Sequence, residues 1–301
     1  MNNRFTVTFN AKQQGQLLRE AISEFGISKR ALTAIKFEGG EILVNGCEQN
    51  VRYILQAGDE ITIIFPQEQI SDGLLPQKGP LTIVYEDEAI LVLNKPAYMS
   101  TIPSREHPNG SIANYVAGYF LQQDIASTVH VVTRLDRDTS GLLCIAKHRH
   151  IHHLTGLMQQ AGTIHREYEA IVHGHVQSQT IIAPIGRKET SIIEREVRDD
   201  GQHAHTDVLL LEQLTIDGRP YSHIRLKLHT GRTHQIRVHM AHIGHPLIGD
   251  ELYGGRRELI LRQALHCIKL QLKHPVTDQA LLFECKLPPD MINIINKRCS
   301  E

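Results

Sequence analysis

Between residues 81 and 287 the chain is broken into short apolar runs closed by turn residues, and no run approaches the length needed to cross a bilayer. Leu81 to Tyr85, Ala89 to Asn94, Val129 to Leu135, Leu142 to Ala146, Ile164 to Val172, Thr206 to Leu211, Tyr221 to Leu228, Leu265 to Leu272 and Ala280 to Leu287 have the length and β-branched content of strands. Helical spacing is confined to a few places. Ile112, Tyr115, Val116 and Tyr119 form one such set, Ile151, Leu154 and Met158 a second closed by Gly162, and Ile236, Met240 and Ile243 a third stopped by Gly244 and Pro246. Many strands with few helices point away from a doubly wound parallel sheet. The expected class is α+β, a mixed and mainly antiparallel sheet with flanking helices.

The first 66 residues read differently. Residues 4 to 9 alternate as a short strand, and Leu17, Leu18, Ala21, Ile22 and Phe25 then recur at helical spacing until Gly26. Ser28 is placed to cap a second helix carrying Ala31, Leu32 and Ile35, which Gly39-Gly40 ends. Asn45-Gly46 after Ile42-Leu43-Val44 is a strong hairpin signal, and Ile61 to Phe65 supplies a closing strand. From Pro66 to Pro80 the chain holds three prolines and two glycines with no periodicity, the composition of a connector. At 301 residues the chain exceeds the usual single-domain size. The expected organisation is a small α/β module over 1–66, a linker over 67–80 and a main domain over 81–301.

A formal net charge of −1 excludes a generally basic nucleic-acid binder, so any polyanion contact needs locally segregated charge. Two places offer it. The second N-terminal helix carries Lys29, Arg30 and Lys36. Between 219 and 262, Arg219, Arg225, Lys227, Arg232, Arg237, Arg256, Arg257 and Arg262 outnumber Asp250, Glu251 and Glu258. Five scattered cysteines without a Cys-x-x-Cys pair read as reduced thiols. The polar Met1-Asn2-Asn3-Arg4 start lacks the order of a secretory signal. The expectation is a soluble, cytoplasmic monomer that does not contact membranes. His148, His150, His152 and His153, and later His234, His239, His242 and His245, show no recognisable ligand spacing, so no metal is expected; the first set reads as a solvated or RNA-facing helix, the second as core packing or RNA contacts.

One stretch concentrates chemistry. In Thr133-Arg134-Leu135-Asp136-Arg137-Asp138-Thr139-Ser140-Gly141 a carboxylate sits between two arginines at the turn joining two strand-like runs. Opposite charge nearby favours the ionised form of a carboxylate, which suits a nucleophile more than a general acid. The same pattern also serves solvated ion pairs of little energetic weight. Downstream, Thr230-Gly231-Arg232 makes a turn, and Thr233 is placed to cap a helix whose N–H groups form a seat for an anion. Arg237 in its first turns reaches either a phosphate or Asp136. No phosphate-cradling glycine loop, dinucleotide fingerprint or nucleophile elbow appears at a usable place, so the chemistry left is that of a carboxylate without a cofactor.

Arg134-Leu135-Asp136 followed by Arg137-Asp138-Thr139-Ser140-Gly141 resembles the signature of the RluA family of RNA pseudouridine synthases, and residues 228–239, Leu-His-Thr-Gly-Arg-Thr-His-Gln-Ile-Arg-Val-His, are similar to a second block of that family. Ile83 to Glu88, Asn94-Lys95-Pro96, Arg166-Glu167-Tyr168 and Arg262 to His266 follow in the family's order, so the resemblance spans roughly residues 80 to 290. It implies the pseudouridine synthase fold and the isomerisation of uridine in RNA, in which the base leaves the ribose nitrogen bond, turns and rejoins through carbon. It implies Asp136 as the essential carboxylate, Arg237 as its partner, and Tyr168 as the ring against the base with a hydroxyl able to take part in proton transfer. Arg134, Arg137 and Arg232, with Lys29, Arg30 and Lys36, are the expected RNA contacts. The N-terminal order of helix, helix, hairpin and strand resembles a small RNA-binding module first described in a small-subunit ribosomal protein, which favours ribosomal over transfer RNA. Thr133, where many members have His, and Gln202, where Lys is frequent, depart from the pattern and bear on RNA grip and target choice. Two rival classes predict different behaviour. A non-catalytic ribosome-assembly protein would keep its role with Asp136→Ala, and a metal-dependent hydrolase would be sensitive to chelators.

Overall fold

The computed structural model of the chain describes residues 4–297; Met1-Asn2-Asn3 and Cys299 lie outside them. Thr6–Asn10, Glu60–Ile64, Glu41–Val44 and Cys47–Glu48 form, in that order, a four-stranded antiparallel sheet. Helices Leu18–Glu24 and Lys29–Phe37 share its core, where Leu18, Ile22 and Ile35 pack with Val7, Ile42, Ile61 and Ile63. Ser28 caps the second helix by accepting the Ala31 N–H at 3.2 Å. Asn45 and Gly46 turn the hairpin with φ of 50° and 77°. A two-residue turn matched to strand twist needs this left-handed pair, which is why Asn-Gly stands there.

The main sheet holds ten strands among the described residues. Its path runs Gln179–Ile182, His205–Ile216, Arg219–Leu228, His165–His173, Leu265–Lys273, Ser140–Ala146, Ile90–Lys95 and Ile83–Glu86, with Ala280–Glu284 beside Leu265–Lys273 and His130–Val131 beside Ser140–Ala146. Neighbours pair antiparallel except Leu265–Lys273, which runs parallel to Ser140–Ala146 through His266 opposite Ser140 and Cys267 opposite Gly141. The sheet is therefore mixed and mainly antiparallel, with helices alongside, as its run pattern implied. Every residue of Ser140–Ala146 is buried, so this strand reads as a continuous apolar run instead of an alternating one. Gly141 stands at φ 113°, and a Cβ there would lie 2.3 Å from the Cys267 carbonyl oxygen. Only glycine lets the two strands close at this parallel junction, and the Asp136 loop leads straight into it.

Helices Ile112–Gln122, Arg149–Gln160 and Gln235–His242 lie where the periodicity placed them. The sequence reading missed helix Pro289–Asn296, the Gln179–Ile182 strand and a small sheet of Ile185–Arg187 with Arg195–Val197. His148 and His150 depart from the expected solvated helix face. Both are buried; His150 stacks on Phe65, and His148 stacks on Phe5 and meets Phe65 edge-on, where the N-terminal sheet meets the main one. Beside them Glu68 accepts from His130 Nε2 at 2.6 Å and from the Arg149 N–H at 2.8 Å, with His148 Nε2 3.2 Å away. Burial works against the Glu68 charge, but the His130 hydrogen bond and the two imidazoles outweigh it and hold the carboxyl at about 2. Burial presses His148 down to about 4, so it is a neutral hydrogen-bonding partner at neutral pH. Among the described residues no helix is long and apolar enough to cross a membrane.

Candidate active site

Asp136 sits on a loop braced from several sides. Thr101 Oγ1 donates to the Leu135 carbonyl at 2.7 Å and accepts the Leu135 N–H at 3.2 Å. Lys95, fully buried at the end of its strand, donates from Nζ to the carbonyls of Pro96, Met99 and Arg137 at 2.9, 2.7 and 3.0 Å. Burial lowers its ammonium to about 7 against the pull of Asp138 and Asp136. Arg262, clamped by Asp290 at 2.7 and 2.9 Å, reaches the Asp138 carbonyl at 3.2 Å, and Gln263 donates to Thr139 Oγ1 at 3.2 Å. With the Leu135, Arg137 and Asp138 carbonyls held by side-chain donors and the Asp136 carbonyl by the Thr139 N–H, the loop presents its carboxylate in one place.

The partner of that carboxylate comes from the helix Gln235–His242. Arg237 Nη1 donates to Asp136 Oδ2 at 3.0 Å, while its Nε and Nη2 form a two-point bond with Asp250 at 2.7 and 2.8 Å. Arg237 is 7% exposed and Asp250 2%. Burial disfavours the guanidinium charge, yet the hydrogen bonds and charges of Asp250 and Asp136 more than restore it and raise the group above its ordinary value. Of the two readings open for Arg237, phosphate or Asp136, the geometry selects Asp136. Two local expectations are corrected. The arginines next to Asp136 in sequence are not what holds it, since Arg134 and Arg137 are exposed and Arg137 pairs with Asp138 at 3.7 Å. Thr233 does not cap the helix; the cap position is His234 at φ 57°, and the Gln235 side chain closes the turn by accepting from Thr230 Oγ1 and the Arg232 N–H.

Asp136, Tyr168, Arg237, Arg134, Arg137 and Arg232 all line one cleft of about 990 Å³. Tyr168, on strand His165–His173, is 4% exposed, and burial raises its hydroxyl above the usual tyrosine range, so it stays protonated. Arg166 two residues earlier enters the same cleft, close enough to Gly231 that a Cβ there would lie 2.6 Å from its Nη2. Lys29, Arg30 and Lys36 are not brought to this cleft; they stand exposed on the second N-terminal helix. The stretch 219–262 is not one free basic stripe. Arg237 and Arg262 are buried, and Arg219 pairs with Glu258, Arg225 with Glu169 and Arg257 with Glu251. Thr133 is buried and accepts the Cys144 N–H at 2.9 Å, whereas Gln202 is exposed. Asp250 and Tyr253 carry no role in the sequence pattern, and His234 reads there only as packing or an RNA contact. Asp250 counted there as one acid in a basic stretch, and nothing in its local pattern announces a buried guanidinium partner.

Among the described residues the group able to hold a metal ion is His205, Asp207 and His229, whose ligand atoms all lie within 4.8 Å of one another. None belongs to the histidine sets singled out from spacing. Asp207 there already accepts from His229 at 2.6 Å and from Thr180 at 2.8 Å, and the two imidazoles stack at 4.0 Å.

Known proteins resemble this chain in sequence and in fold. The family model described as RNA pseudouridylate synthase matches residues 89–242, a segment that contains Asp136, Tyr168 and Arg237. A Bacillus subtilis (strain 168) protein named "Uncharacterized RNA pseudouridine synthase YjbO" is 49% identical over 280 residues, covering 92% of this chain and 98% of its own. The Pseudomonas aeruginosa "Ribosomal large subunit pseudouridine synthase D" is 37% identical over 300 residues, covering 94% of this chain and 92% of its own. Among solved structures, "Human RNA Pseudouridylate Synthase Domain Containing 1" superposes with a TM-score of 0.57 at 24% identity, covering 75% of this chain and 98% of that one, a likeness of fold. With a braced aspartate paired to a buried arginine, a family match over more than half its length and a relative at 49% identity, this chain belongs to the RNA pseudouridylate synthase family, in the RluA group its motifs resemble.

Proposed function

We propose that the chain isomerises uridine to pseudouridine in ribosomal RNA, with Asp136 as the essential carboxylate. The observation that carries this reading is the Asp136–Arg237 ion pair at 3.0 Å in an arginine-lined cleft that also holds Tyr168. The reaction breaks the bond from C1′ to N1, forms one from C1′ to C5, releases the hydrogen of C5 and returns a proton to N1. It is balanced without a cofactor. Asp136 faces the glycosidic centre as nucleophile or as countercharge to the sugar carbon while the nitrogen bond breaks. Arg237 fixes its orientation. Tyr168 offers a buried ring for the uracil to stack on and a protonated hydroxyl at its edge.

A uridine inside a duplex cannot reach such a cleft, so the target is flipped out or already single-stranded. Arg134, Arg137 and Arg232 at the cleft take the flanking phosphates. Residues 1–66 act as an RNA-binding module through Lys29, Arg30 and Lys36, 67–80 link it to the catalytic domain over 81–301, and the enzyme works as a cytoplasmic monomer. Ribosomal RNA is the favoured substrate because relatives covering nearly the full chain carry large-subunit names. The test is a map of pseudouridines in RNA from cells with the wild type, cells lacking the protein and cells carrying Asp136→Ala. Ribosomal sites lost in both deficient strains support the reading, sites lost from transfer RNA correct the substrate, and a full set of sites in the Asp136→Ala strain overturns it.

A further inference from the structure

His234 is a partly buried titratable side chain that the mechanism above does not use. Its backbone lies at φ 57° and ψ 19°, a left-handed conformation that a residue other than glycine adopts at a cost and that clusters at functional sites. Its side chain is 13% exposed, and Nε2 lies 3.8 Å from Asp136 Oδ2, the same oxygen that accepts from Arg237. Its other nitrogen, Nδ1, is 2.9 Å from the Tyr253 hydroxyl. That hydroxyl accepts the Arg195 N–H at 2.9 Å, and the Tyr253 ring lies against the Arg237 guanidinium, 4.9 Å from its carbon to the ring centroid.

A phenol has one hydrogen to give. Arg195 takes one lone pair of the oxygen, and the hydroxyl hydrogen meets His234 Nδ1 in the tautomer where Nδ1 is the acceptor, the one that leaves the ring hydrogen on Nε2, toward Asp136. We propose that Arg195 N–H, Tyr253 and His234 form a hydrogen-bond relay that aims an imidazole N–H at Asp136, making His234 and Tyr253 positioning residues for the catalytic carboxylate. The proposal rests on the reading of Asp136 given above. At 3.8 Å the last contact is longer than a hydrogen bond; it closes when RNA fills the cleft, as such contacts do in enzyme–substrate complexes. The groups facing the imidazole are Asp136, Arg237, Asp250, Arg195 and Tyr253. Burial, the largest influence, holds His234 below its ordinary value, which keeps the ring neutral and its tautomer meaningful.

The test measures tritium released from ribosomal RNA that carries 5-tritiated uridine and comes from cells lacking the protein, since the C5 hydrogen leaves in the reaction. Tyr253→Phe keeps the ring on Arg237 and deletes only the hydroxyl. Its kcat is expected to fall about tenfold with KM little changed, the scale of one lost buried hydrogen bond. The deficit should persist as pH is lowered from about 8 to about 7, because burial keeps the imidazole neutral there and its tautomer still decides which nitrogen carries the hydrogen. His234→Gln, which places an amide N–H where Nε2 stood, should retain more activity than His234→Asn, which suits the left-handed backbone better but is too short to reach. Thermal melts of each variant separate these effects from loss of fold. Tyr253→Phe with wild-type kcat at every pH, or His234→Asn as active as His234→Gln at equal stability, sinks the relay. Asp136→Ala is assayed alongside. If it releases tritium like the wild type, the reading of Asp136 fails and takes the relay with it; if it is inert while Tyr253→Phe is normal, only the relay fails.

Discussion

Asp250→Asn removes a single charge from the buried network behind Asp136, and the structure sets the size of the effect. Arg237 donates twice to Asp250, at 2.7 and 2.8 Å, and Asp250 is 2% exposed. An asparagine keeps the shape but turns an NH2 group toward one of those donors, so the guanidinium loses a bond and half of its countercharge. Removing one partner of a buried pair costs about 3–5 kcal/mol. Asp136 remains bonded to Nη1 at 3.0 Å, which favours the lower end of that range. About 3 kcal/mol in a chain of this size lowers Tm by roughly 6–12 °C. Freed from its two-point anchor, the guanidinium no longer fixes the Asp136 carboxylate, and a misplacement of about 1 Å costs on the order of a hundredfold in rate. Calorimetry and tritium release read the two effects separately. A double variant, Arg237→Met with Asp250→Leu, replaces the pair by apolar groups and should recover most of the stability, since such swaps are often neutral or better, while remaining inactive. The reasoning is refuted if Asp250→Asn melts with the wild type and turns over normally, or if the double variant is active.

Gly141→Ala places a methyl group 2.3 Å from the Cys267 carbonyl at a φ of 113°; a loss of roughly 3 kcal/mol or more is expected, and a soluble variant with an unshifted melt would contradict the parallel junction. His148, held by burial at about 4 against an ordinary 6.5, binds fewer protons folded than unfolded, so its contribution is intact above pH 6.5 and is lost as pH falls through about 4. At its fullest this amounts to about 3 kcal/mol. Glu68 adds a loss of the same sign only below its ordinary 4.5, toward about 2. Melts between pH 7 and 4 should therefore fall, His148→Gln should flatten the dependence, and an unchanged slope in that variant would remove His148 from the explanation. Replacing Lys29, Arg30 and Lys36 by Ala should weaken RNA binding and lower the slope of log affinity against log salt by about 0.7–0.9 for each phosphate that is no longer neutralised; an unaltered slope would mean that this helix does not face the RNA.

What the sequence alone determined was local. Alternation and turn residues were enough for most strand runs of the main sheet, the Asn45-Gly46 hairpin and the Ser28 cap, because each depends on the conformational preferences of a few adjacent residues. The motifs around Asp136, Tyr168 and Arg237 marked three residues that the fold brings to one cleft. Where the surroundings decided, local reading went astray. Spacing set Asp136 between two arginines and left Arg237 open between a phosphate and Asp136, a pairing only the family resemblance favoured; in the fold the partner is Arg237, one hundred and one positions away and itself held by Asp250. It set His148 and His150 on a solvated face, whereas the N-terminal sheet covers them with Phe5 and Phe65. It read a basic stripe between 219 and 262, and carboxylates brought in from Glu169 and Asp290 neutralise members of it. The left-handed His234 and the relay through Tyr253 have no signature in spacing at all. Local dihedral preference and periodicity are written along the chain, but which buried charge meets which counterion is settled only when the sheet closes, because desolvation penalises every unpaired alternative and spatial proximity bears no relation to sequence distance.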